Sequence, residues 1–300
     1  MPKRADINTI LMIGSGPIII GQACEFDYPG TQGCKALRSL GYRIVLVNSN
    51  PATIMTDPET ADATYIEPLN VERITHIIEK ERPDALLPNL GGQSGVNLCS
   101  GLDKAGVLAK YGVQVIGGQV DAIERGEDRV AFKAAMEQLG IEMALSKVAY
   151  TVDDAVSIAE ELGYPVVLRP AYTMGGEGGG MVYNVEELKT VVARGLQASL
   201  VGQVMVEECI IGWEELEVEV VRDAKNQMIT VCFIENIDPM GVHTGDSFCA
   251  APMLTVPEEL QQRLQEQAYR IVESIEVIGG TNVQFAHDPV SDRIIVIEIN

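Results

Sequence analysis

Oxygen-bearing side chains alternate along the two predicted strands at the end of the 300-residue sequence. Glu298 and Asn300 are two positions apart, and so are Asn282 and Gln284, so each pair shares one face of its strand. A hairpin that pairs residue 284 with residue 298 also pairs 282 with 300 and brings all four side chains together. Carboxylate and amide oxygens suit Mg²⁺ or Mn²⁺ that shares its ligation with phosphates. The alternative is a polar, solvated face of an edge hairpin.

A glycine-rich loop at residues 175–180 contains five glycines in six positions between two predicted strands. Such a backbone bends over a ligand and offers bare N–H groups to phosphate oxygens. Arg169 lies just upstream at the end of an apolar strand, where an arginine is costly unless it meets an anion. No Lys-Ser or Lys-Thr pair follows to open a helix, so the loop is not a P-loop. We predict a flap that covers phosphates; the alternative is a flexible hairpin turn beside a surface arginine.

Three glutamates, Glu215, Glu217 and Glu219, alternate with Leu216 and Val218 and therefore share one face of a predicted strand. Like charges on one face repel one another unless cations or hydrogen-bond donors neutralise them. We expect Glu219 to lie on the solvated surface. A role in a site is more plausible for Glu215, which is close to the single tryptophan of the sequence.

A second glycine motif, Gly-Ser-Gly at residues 14–16, follows the first predicted strand. A dinucleotide-binding fingerprint needs a third glycine at position 19, where this sequence has Ile19. It also needs an acidic residue at the end of the next strand, where residues 48–50 are Asn-Ser-Asn. A tight turn between strand and helix is therefore favoured over an NAD or FAD site.

The composition limits the classes of partner. The sequence has 43 Asp and Glu against 22 Lys and Arg, a formal net charge of −21. Such an acidic chain does not favour binding to nucleic acid or to an anionic membrane, because both need a basic face. No apolar run reaches the roughly 18 residues needed to cross a bilayer. The first residues match neither a signal nor a transit peptide.

Cysteine and histidine usage does not indicate a zinc site. The six cysteines lie far apart without a C-x-x-C pair, and we interpret them as reduced, mostly buried thiols of a cytoplasmic protein. His76 and His287 are expected to be structural. His243 lies in a polar loop over residues 241–247, which by itself is more typical of a surface residue.

The elements that must position these residues divide the chain into two parts. Strands are predicted over 9–13, 43–47, 64–66, 85–87 and 114–116, and helices over 20–40, 71–81 and 94–109. Strands and helices that alternate in this way form a parallel sheet covered by helices on both faces, as in a Rossmann-like domain. We expect this first domain to cover residues 1–127.

The second part, residues 128–300, groups its strands into runs. Helices are predicted over 128–139, 153–162 and 257–274, and strands over 147–150, 164–170, 181–183, 204–210, 215–222, 228–236, 281–287 and 293–300. Runs of strands with segregated helices indicate an α+β domain built on antiparallel sheets. Because no loop or helix follows the last strand, we expect the chain to be a fragment of a longer protein.

Together these motifs resemble the ATP-grasp superfamily and, within it, the amino-terminal half of the carbamoyl phosphate synthase large-chain family. The resemblance runs over the whole chain in GSGPIIIGQACEFDYPGTQ at 14–32, NSNPATIMTDPE at 48–59, RPAYTMGGEGGG at 169–180, EVEVVRD at 217–223, IENIDPMGVHTGDS at 234–247 and NVQFA at 282–286. It implies an α/β fold in which a Rossmann-like pre-ATP-grasp domain precedes an α+β ATP-grasp domain that is incomplete at its C-terminal end. Glu177 departs from the family pattern, which has a small polar residue in the flap, and we expect its side chain to point to solvent.

The same resemblance implies an activity. Members of the family are ATP-dependent ligases that phosphorylate bicarbonate to carboxyphosphate and then convert carboxyphosphate to carbamate with ammonia. These steps are the first half of carbamoyl phosphate synthesis, which serves arginine and pyrimidine biosynthesis. The cofactors that it implies are ATP, Mg²⁺ or Mn²⁺, and K⁺. The partners that it implies are a glutaminase small subunit or fused domain and the remaining part of the large chain.

The resemblance also implies residue roles, position by position. Arg129 and Arg169 match phosphate-contacting arginines with a catalytic role, and Gly175 and Gly176 match the phosphate flap. The positions that match further nucleotide contacts are Glu208, Ile210, Glu215, Gly241, Val242 and His243, and His243 also belongs to the catalytic set. The positions that match divalent-metal ligands are Gln284, Glu298 and Asn300, of which the first two also contact nucleotide. The positions that match a monovalent-cation site are Glu215, Asn236, Asp238 and Ser247.

Two other functions stay open at this point. Another ATP-grasp ligase, such as a biotin carboxylase, is the closest alternative, although it would lack the stretch at 234–247. The chain could also be a nucleotide-binding module that binds ATP without turnover. Release of ADP with bicarbonate alone, compared with a nucleotide-induced thermal shift, distinguishes an enzyme from such a module.

Overall fold

A computed structural model describes residues 3–18, 23, 26–119, 122, 129–170, 180–199, 202–242 and 247–300. Within these ranges the chain forms one parallel sheet and two antiparallel sheets. The parallel sheet belongs to the first part of the chain and the antiparallel sheets to the second. The predicted fold class, an α/β part with a parallel sheet followed by an α+β part with antiparallel sheets, is therefore confirmed.

The first sheet has the strand order β3-β2-β1-β4-β5, and all its pairings are parallel. Its strands are β1 (Thr9–Ile13), β2 (Arg43–Asn48), β3 (Ala63–Ile66), β4 (Ala85–Leu87) and β5 (Gln114–Val115). The helices are α1 (Asp27–Ser39), α2 (Val71–Glu81), α3 (Gly92–Lys104) and α4 (Val107–Tyr111). Leu11 packs with the core beneath α2 and α3, whereas Met12 packs with Cys34 of α1 on the other face. The central strands are continuously apolar because both faces are covered.

Two helices of the first domain differ from the prediction. The helix predicted over 94–109 is divided into α3 and α4, because Gly106 adopts a φ of 72° that an uninterrupted helix does not allow. The helix predicted from residue 20 begins at Asp27 in the described part of the chain. Residues 19–22 and 24–25 lie outside it.

The second part of the chain opens with α5 (Arg129–Leu139) and a four-stranded antiparallel sheet of order β6-β9-β7-β8. The strands are β6 (Ser146–Ala149), β7 (Val166–Pro170), β8 (Gly180–Val182) and β9 (Val204–Glu208). Two helices, α6 (Val152–Leu162) and α7 (Val185–Ala198), cover one face of this sheet and form a core with Leu168 and Val206. The helix α7 was not predicted, although Asn184 caps it by accepting hydrogen bonds from the backbone N–H groups of Glu186 and Glu187.

A five-stranded antiparallel sheet of order β12-β11-β10-β13-β14 completes the chain. Its strands are β10 (Glu214–Arg222), β11 (Met228–Asn236), β12 (Cys249–Ala250), β13 (Gly279–Asp288) and β14 (Arg293–Ile299), and the accompanying helix is α8 (Glu258–Ile275). One face packs on α5 and α8 through Leu216, Val218, Phe285 and Leu264. The opposite face carries the alternate residues, among them the polar side chains of Glu217, Gln284 and Glu298.

The two parts of the chain meet where the parallel sheet ends. The side chain of Gln119 accepts a hydrogen bond of 3.0 Å from the backbone N–H of Ile278 and donates one of 3.5 Å to its carbonyl. Gly279 lies against the backbone of Gly117, with no room for a side chain between them. The start of β13 is thereby fixed to the loop that follows β5.

Two further sequence predictions can be compared with the structure. Among the described residues no helix is long and apolar enough to cross a membrane. Cys34 and Cys99 are buried free thiols, and burial raises their pKa values to about 11 and about 12. Cys209, Cys232 and Cys249 are partly or fully exposed, so the expectation of mostly buried thiols holds for only part of the set.

Candidate functional site

The polar face of the five-stranded sheet holds the predicted divalent-metal residues. Gln284 of β13 lies directly opposite Glu298 of β14, and the backbones of Asn282 and Asn300 exchange two hydrogen bonds of 3.0 and 2.9 Å. The predicted hairpin register is therefore confirmed. The side chain of Asn300 approaches Glu298 to 3.4 Å. The assignment of these side chains to a metal stays a prediction.

Glu217 lies at the centre of this face, on β10 opposite Gln284. It is 6% exposed, and its two carboxylate oxygens accept hydrogen bonds of 2.8 Å from the side-chain amides of Asn236 and Asn282. The carbonyl oxygens of those amides are buried without a hydrogen-bond partner among the described residues. Buried oxygen atoms of this kind are costly unless a cation or donor meets them, so this face suits a cation.

Glu219 is not the solvated surface residue that the sequence analysis expected. It is half-buried and accepts a hydrogen bond of 2.9 Å from Asn282, which also donates to Glu217. Burial, together with the charge of Glu217, raises the pKa of Glu219, although the bond from Asn282 opposes the shift. Glu215 is only 4% exposed. Glu215, Glu217 and Glu219 thus all lie at least partly inside the protein.

Two of the predicted nucleotide contacts, Glu208 and Ile210, lie in the segment that joins β9 to β10, residues 208–213, which we call the connector. Its Gly212 N–H donates to the carbonyl of Met240 over 3.2 Å, and the N–H of Met240 donates to Trp213 over 2.9 Å. Ile211 packs against Gly241. The residues of the connector that contact this second segment are therefore Ile211, Gly212 and Trp213, the neighbours of the predicted contact Ile210.

Arg169 is not the unpaired arginine that the sequence suggested. Its Nε lies 2.7 Å from a carboxylate oxygen of Glu207 on the neighbouring strand, and half of its side chain is exposed. The anion that makes an arginine tolerable at this strand end is thus present within the protein.

The structure describes only some of the remaining predicted site residues. Gly175, Gly176 and His243 lie outside the described residues, as does the side chain of Arg129, whose backbone begins α5. Of the monovalent-cation set, Asp238 accepts hydrogen bonds from the backbone of Phe248 at 2.8 Å and the hydroxyl of Ser247 at 3.4 Å.

A pair that the sequence analysis missed holds the connector. Arg293, the first residue of β14, donates two hydrogen bonds of 2.9 Å to the carboxylate of Glu208, the last residue of β9. These residues are 85 positions apart, so no local pattern links them. A charged residue at the very start of an apolar strand was the available signal.

The donor set limits the metal that this face could bind. Among the described residues no three His, Cys, Asp or Glu side chains cluster as metal ligands. Gln284, Glu298 and Asn300 supply one carboxylate and two amides, and such oxygen donors fit Mg²⁺ or Mn²⁺ better than a softer metal. One negative charge binds such an ion weakly, so the set fits a metal that arrives with phosphates.

Two family models match the chain. The carbamoyl phosphate synthase preATP-grasp domain matches residues 6–125, and the carbamoyl-phosphate synthase L chain ATP binding domain matches residues 128–300. Carbamoyl phosphate synthase large chains are similar over the full chain: that of Archaeoglobus fulgidus is 55% identical and that of Thermotoga maritima 54%. The chain spans only 28% and 27% of their respective lengths.

Solved structures share the fold at lower identity. The β-γ-ATP complex of biotin carboxylase from Campylobacter jejuni aligns with a TM-score of 0.78 at 21% identity, over 98% of this chain and 65% of that one. An ADP complex of N5-carboxyaminoimidazole ribonucleotide synthetase aligns with a TM-score of 0.71 at 18% identity, over 99% of this chain and 72% of that one. These likenesses establish the ATP-grasp fold.

Proposed function

The chain belongs to the carbamoyl phosphate synthase large-chain family, and we propose that it carries out the first phosphorylation of carbamoyl phosphate synthesis. In this step ATP phosphorylates bicarbonate to carboxyphosphate, which reacts with ammonia to give carbamate. The observation that carries the proposal is the hydrogen-bonded register that places Gln284, Glu298 and Asn300 on one polar face. Identity of 55% to a synthase, against 21% to a biotin carboxylase, favours this reaction over the carboxylase alternative.

The reaction needs charge neutralisation more than covalent catalysis. A bicarbonate oxygen forms a bond to the γ-phosphorus while the bond to ADP breaks, so two anions must be held together. We assign Arg129 and Arg169 to the phosphates, with the backbone N–H groups of Gly175 and Gly176 and the side chain of His243. Ammonia then attacks the carboxyl carbon, phosphate leaves, and the nitrogen loses a proton.

The nucleotide would lie between the connector and the polar face. We assign Glu208, Ile210, Gly241 and Val242 to the base and ribose, which the contact of Ile211 with Gly241 supports, and we assign Glu215, the second residue of β10, to the same nucleotide. Gln284, Glu298 and Asn300 would hold the divalent ion. When bound, Mg²⁺ or Mn²⁺ would neutralise charge on the phosphates.

A monovalent cation fits the neighbouring residues. We assign Glu215, Asn236, Asp238 and Ser247 to K⁺, because the buried side-chain oxygen of Asn236 has no hydrogen-bond partner among the described residues. Oxygen donors of carboxylate, amide and hydroxyl type are those that such an ion takes.

The remaining partners belong to the proposed function of the longer protein. The relatives are named as large chains and are more than three times as long as this chain, so we propose further large-chain segments as partners. We also propose a glutaminase subunit or domain as the source of ammonia, and a cytoplasmic location.

The proposal is tested by release of ADP from Mg·ATP with and without bicarbonate. We expect bicarbonate to stimulate hydrolysis when residues 1–300 are present within a longer large chain, and we expect the chain alone to bind Mg·ADP. Nucleotide binding without any stimulation in either protein would favour a binding module. Stimulation that requires biotin would favour a carboxylase.

A further inference from the structure

The carboxylate of Glu208 is hydrogen-bonded to other residues of the protein. One carboxylate oxygen accepts a hydrogen bond of 2.7 Å from the backbone N–H of Leu145 and another of 2.9 Å from Arg293. The other oxygen accepts the second bond from Arg293, also of 2.9 Å. The side chains of Glu208 and Arg293 are only 16% and 25% exposed. A carboxylate with these partners has little capacity left for a ligand.

The strand pattern places this carboxylate away from the phosphate-binding arginine. Glu208 and Val206 alternate with Glu207 on β9, and Val206 packs into the core beneath α6 and α7. Glu207, which pairs with Arg169, therefore lies on the opposite face. The Glu208 carboxylate consequently does not share the face that carries Arg169 and Glu207.

Arg293 is itself held from two other directions. Its Nε donates a hydrogen bond of 2.7 Å to Glu142, and its guanidinium carbon lies 5.7 Å from the centre of the Trp213 ring. Trp213 ends the connector, whose first residue is Glu208. One guanidinium thus contacts both ends of the connector and links β14 of one sheet to β9 of the other.

We propose that Arg293 is a positioning residue that fixes the connector for nucleotide binding, and that the Glu208 carboxylate is its anchor and does not contact the ligand. The inference rests on the proposed function, since it concerns the same nucleotide site. A planar, two-pronged guanidinium–carboxylate pair fixes orientation as well as distance, which a lysine cannot reproduce. The backbone atoms of Glu208 and Ile210 would then border the base at a fixed position.

The test measures binding of Mg·ADP and Mg·GDP to the full chain by titration calorimetry. We expect Arg293→Met to weaken the binding of Mg·ADP about tenfold and that of Mg·GDP much less, because the substitution disturbs the part of the site that fits the adenine base. The affinity of Arg293→Lys for Mg·ADP should lie between those of the unaltered chain and Arg293→Met. The affinity of Glu208→Gln should be similar to that of Arg293→Met. The double variant should lose little more than either single variant, because both changes break one interaction.

Arg263→Met is the matched control. Arg263 pairs with Asp292, next to Arg293, at an exposed site, and it does not contact Glu208. We expect it to leave both affinities unchanged. The single tryptophan adds a local readout, because Trp213 emission should shift in Arg293→Met without nucleotide and stay unchanged in Arg263→Met.

Two results would overturn the inference while leaving the proposed function intact. One is unchanged Mg·ADP affinity in Arg293→Met and Arg293→Lys. The other is loss of binding in Glu208→Gln alone, which would place its carboxylate on the ligand. If the unaltered chain within a longer large chain binds no adenine nucleotide, the proposed function fails first and takes this inference with it.

Discussion

Gln284 and Glu298 lie directly opposite each other on β13 and β14, and Glu217 lies opposite Gln284 on the other side, on β10. Three neighbouring strands thus bring one amide and two carboxylates to a single face. A slip of one residue between β13 and β14 would turn Glu298 toward the core side of the sheet. The hairpin register therefore decides whether this face can hold a cation.

Replacing Glu298 by glutamine removes the only formal charge of the proposed metal set while keeping its shape. We expect bicarbonate-dependent ATP hydrolysis by a longer large chain to need about 10–100 times more Mg²⁺, since a lost charged contact costs about 1.5–3 kcal/mol. Thermal unfolding should not change, because Glu298 is exposed. The control is Glu266→Gln, an exposed carboxylate on α8, which packs on the opposite face of the sheet. An unchanged Mg²⁺ dependence in Glu298→Gln would exclude Glu298 as a ligand.

Arg169→Ala tests the phosphate assignment. We expect the dissociation constant of Mg·ATP to rise about tenfold or more, because one charge-assisted contact is worth about 1.5–3 kcal/mol. The loss of the ion pair with Glu207 should have little effect on stability, since half of the Arg169 side chain is exposed. Arg194→Ala, at an exposed position on α7, is the control. Equal affinities for the parent and Arg169→Ala would show that Arg169 serves only Glu207.

The sequence predicted the sheets because their signals are local. Continuous apolar runs identified β1 and β2 as strands buried on both faces, and alternation placed Glu217 and Val218 on opposite faces of β10. The predicted register of β13 and β14 was also correct, since the polar residues on both strands repeat every second position. The helix α7 was not predicted, although Asn184, a residue type that often caps helices, directly precedes it.

The interactions within the site were less predictable. Glu219 was expected to be solvated, because nothing next to it in sequence shows that Asn282 lies against it, 63 residues further along the chain. Arg169 was expected to lack a protein partner, because Glu207 reaches it only through the pairing of β7 with β9. Hydrogen-bond and ion-pair partners that are brought together by the pairing of distant strands leave no periodic pattern in a single sequence.

The raised pKa of Glu219 predicts that Glu219→Gln stabilises the fold by an amount that depends on pH. Burial raises the folded-state pKa of this carboxyl, so its charged form destabilises the fold at pH 7 and its protonated form does not. The variant should unfold about 2 °C higher at pH 7, roughly the effect of 1 kcal/mol. The gain should shrink as the pH falls through the folded-state pKa. A gain that is equal at pH 7 and pH 4 would contradict this explanation.

We expect Glu235→Gln to have the opposite effect and to destabilise the fold at pH 7. Burial alone would raise the pKa of Glu235, but hydrogen bonds from Thr255 and the backbone of Leu254 outweigh it and lower the pKa. The charged form therefore stabilises the fold at pH 7, and its contribution is lost as the pH falls through the folded-state pKa. Thermal unfolding of this variant should occur below that of the parent at pH 7, and the two should converge in acid. A higher unfolding temperature at pH 7 would reverse the sign and refute the prediction.

The contact between Gly117 and Gly279 predicts how the two domains are coupled. A Cβ atom on Gly279 would lie 2.0 Å from the carbonyl oxygen of Gly117, and the φ of Gly279 is 135°, where side chains are rarely tolerated. Gly279→Ala must therefore displace β13 from the first domain, at a cost of about 1–3 kcal/mol. We expect calorimetry to show a lower unfolding temperature and a transition that separates into two. Gly280→Ala is the control, because its Cβ would meet only Val221, at 4.0 Å. One unchanged transition in Gly279→Ala would show that the contact with Gly117 does not couple the domains.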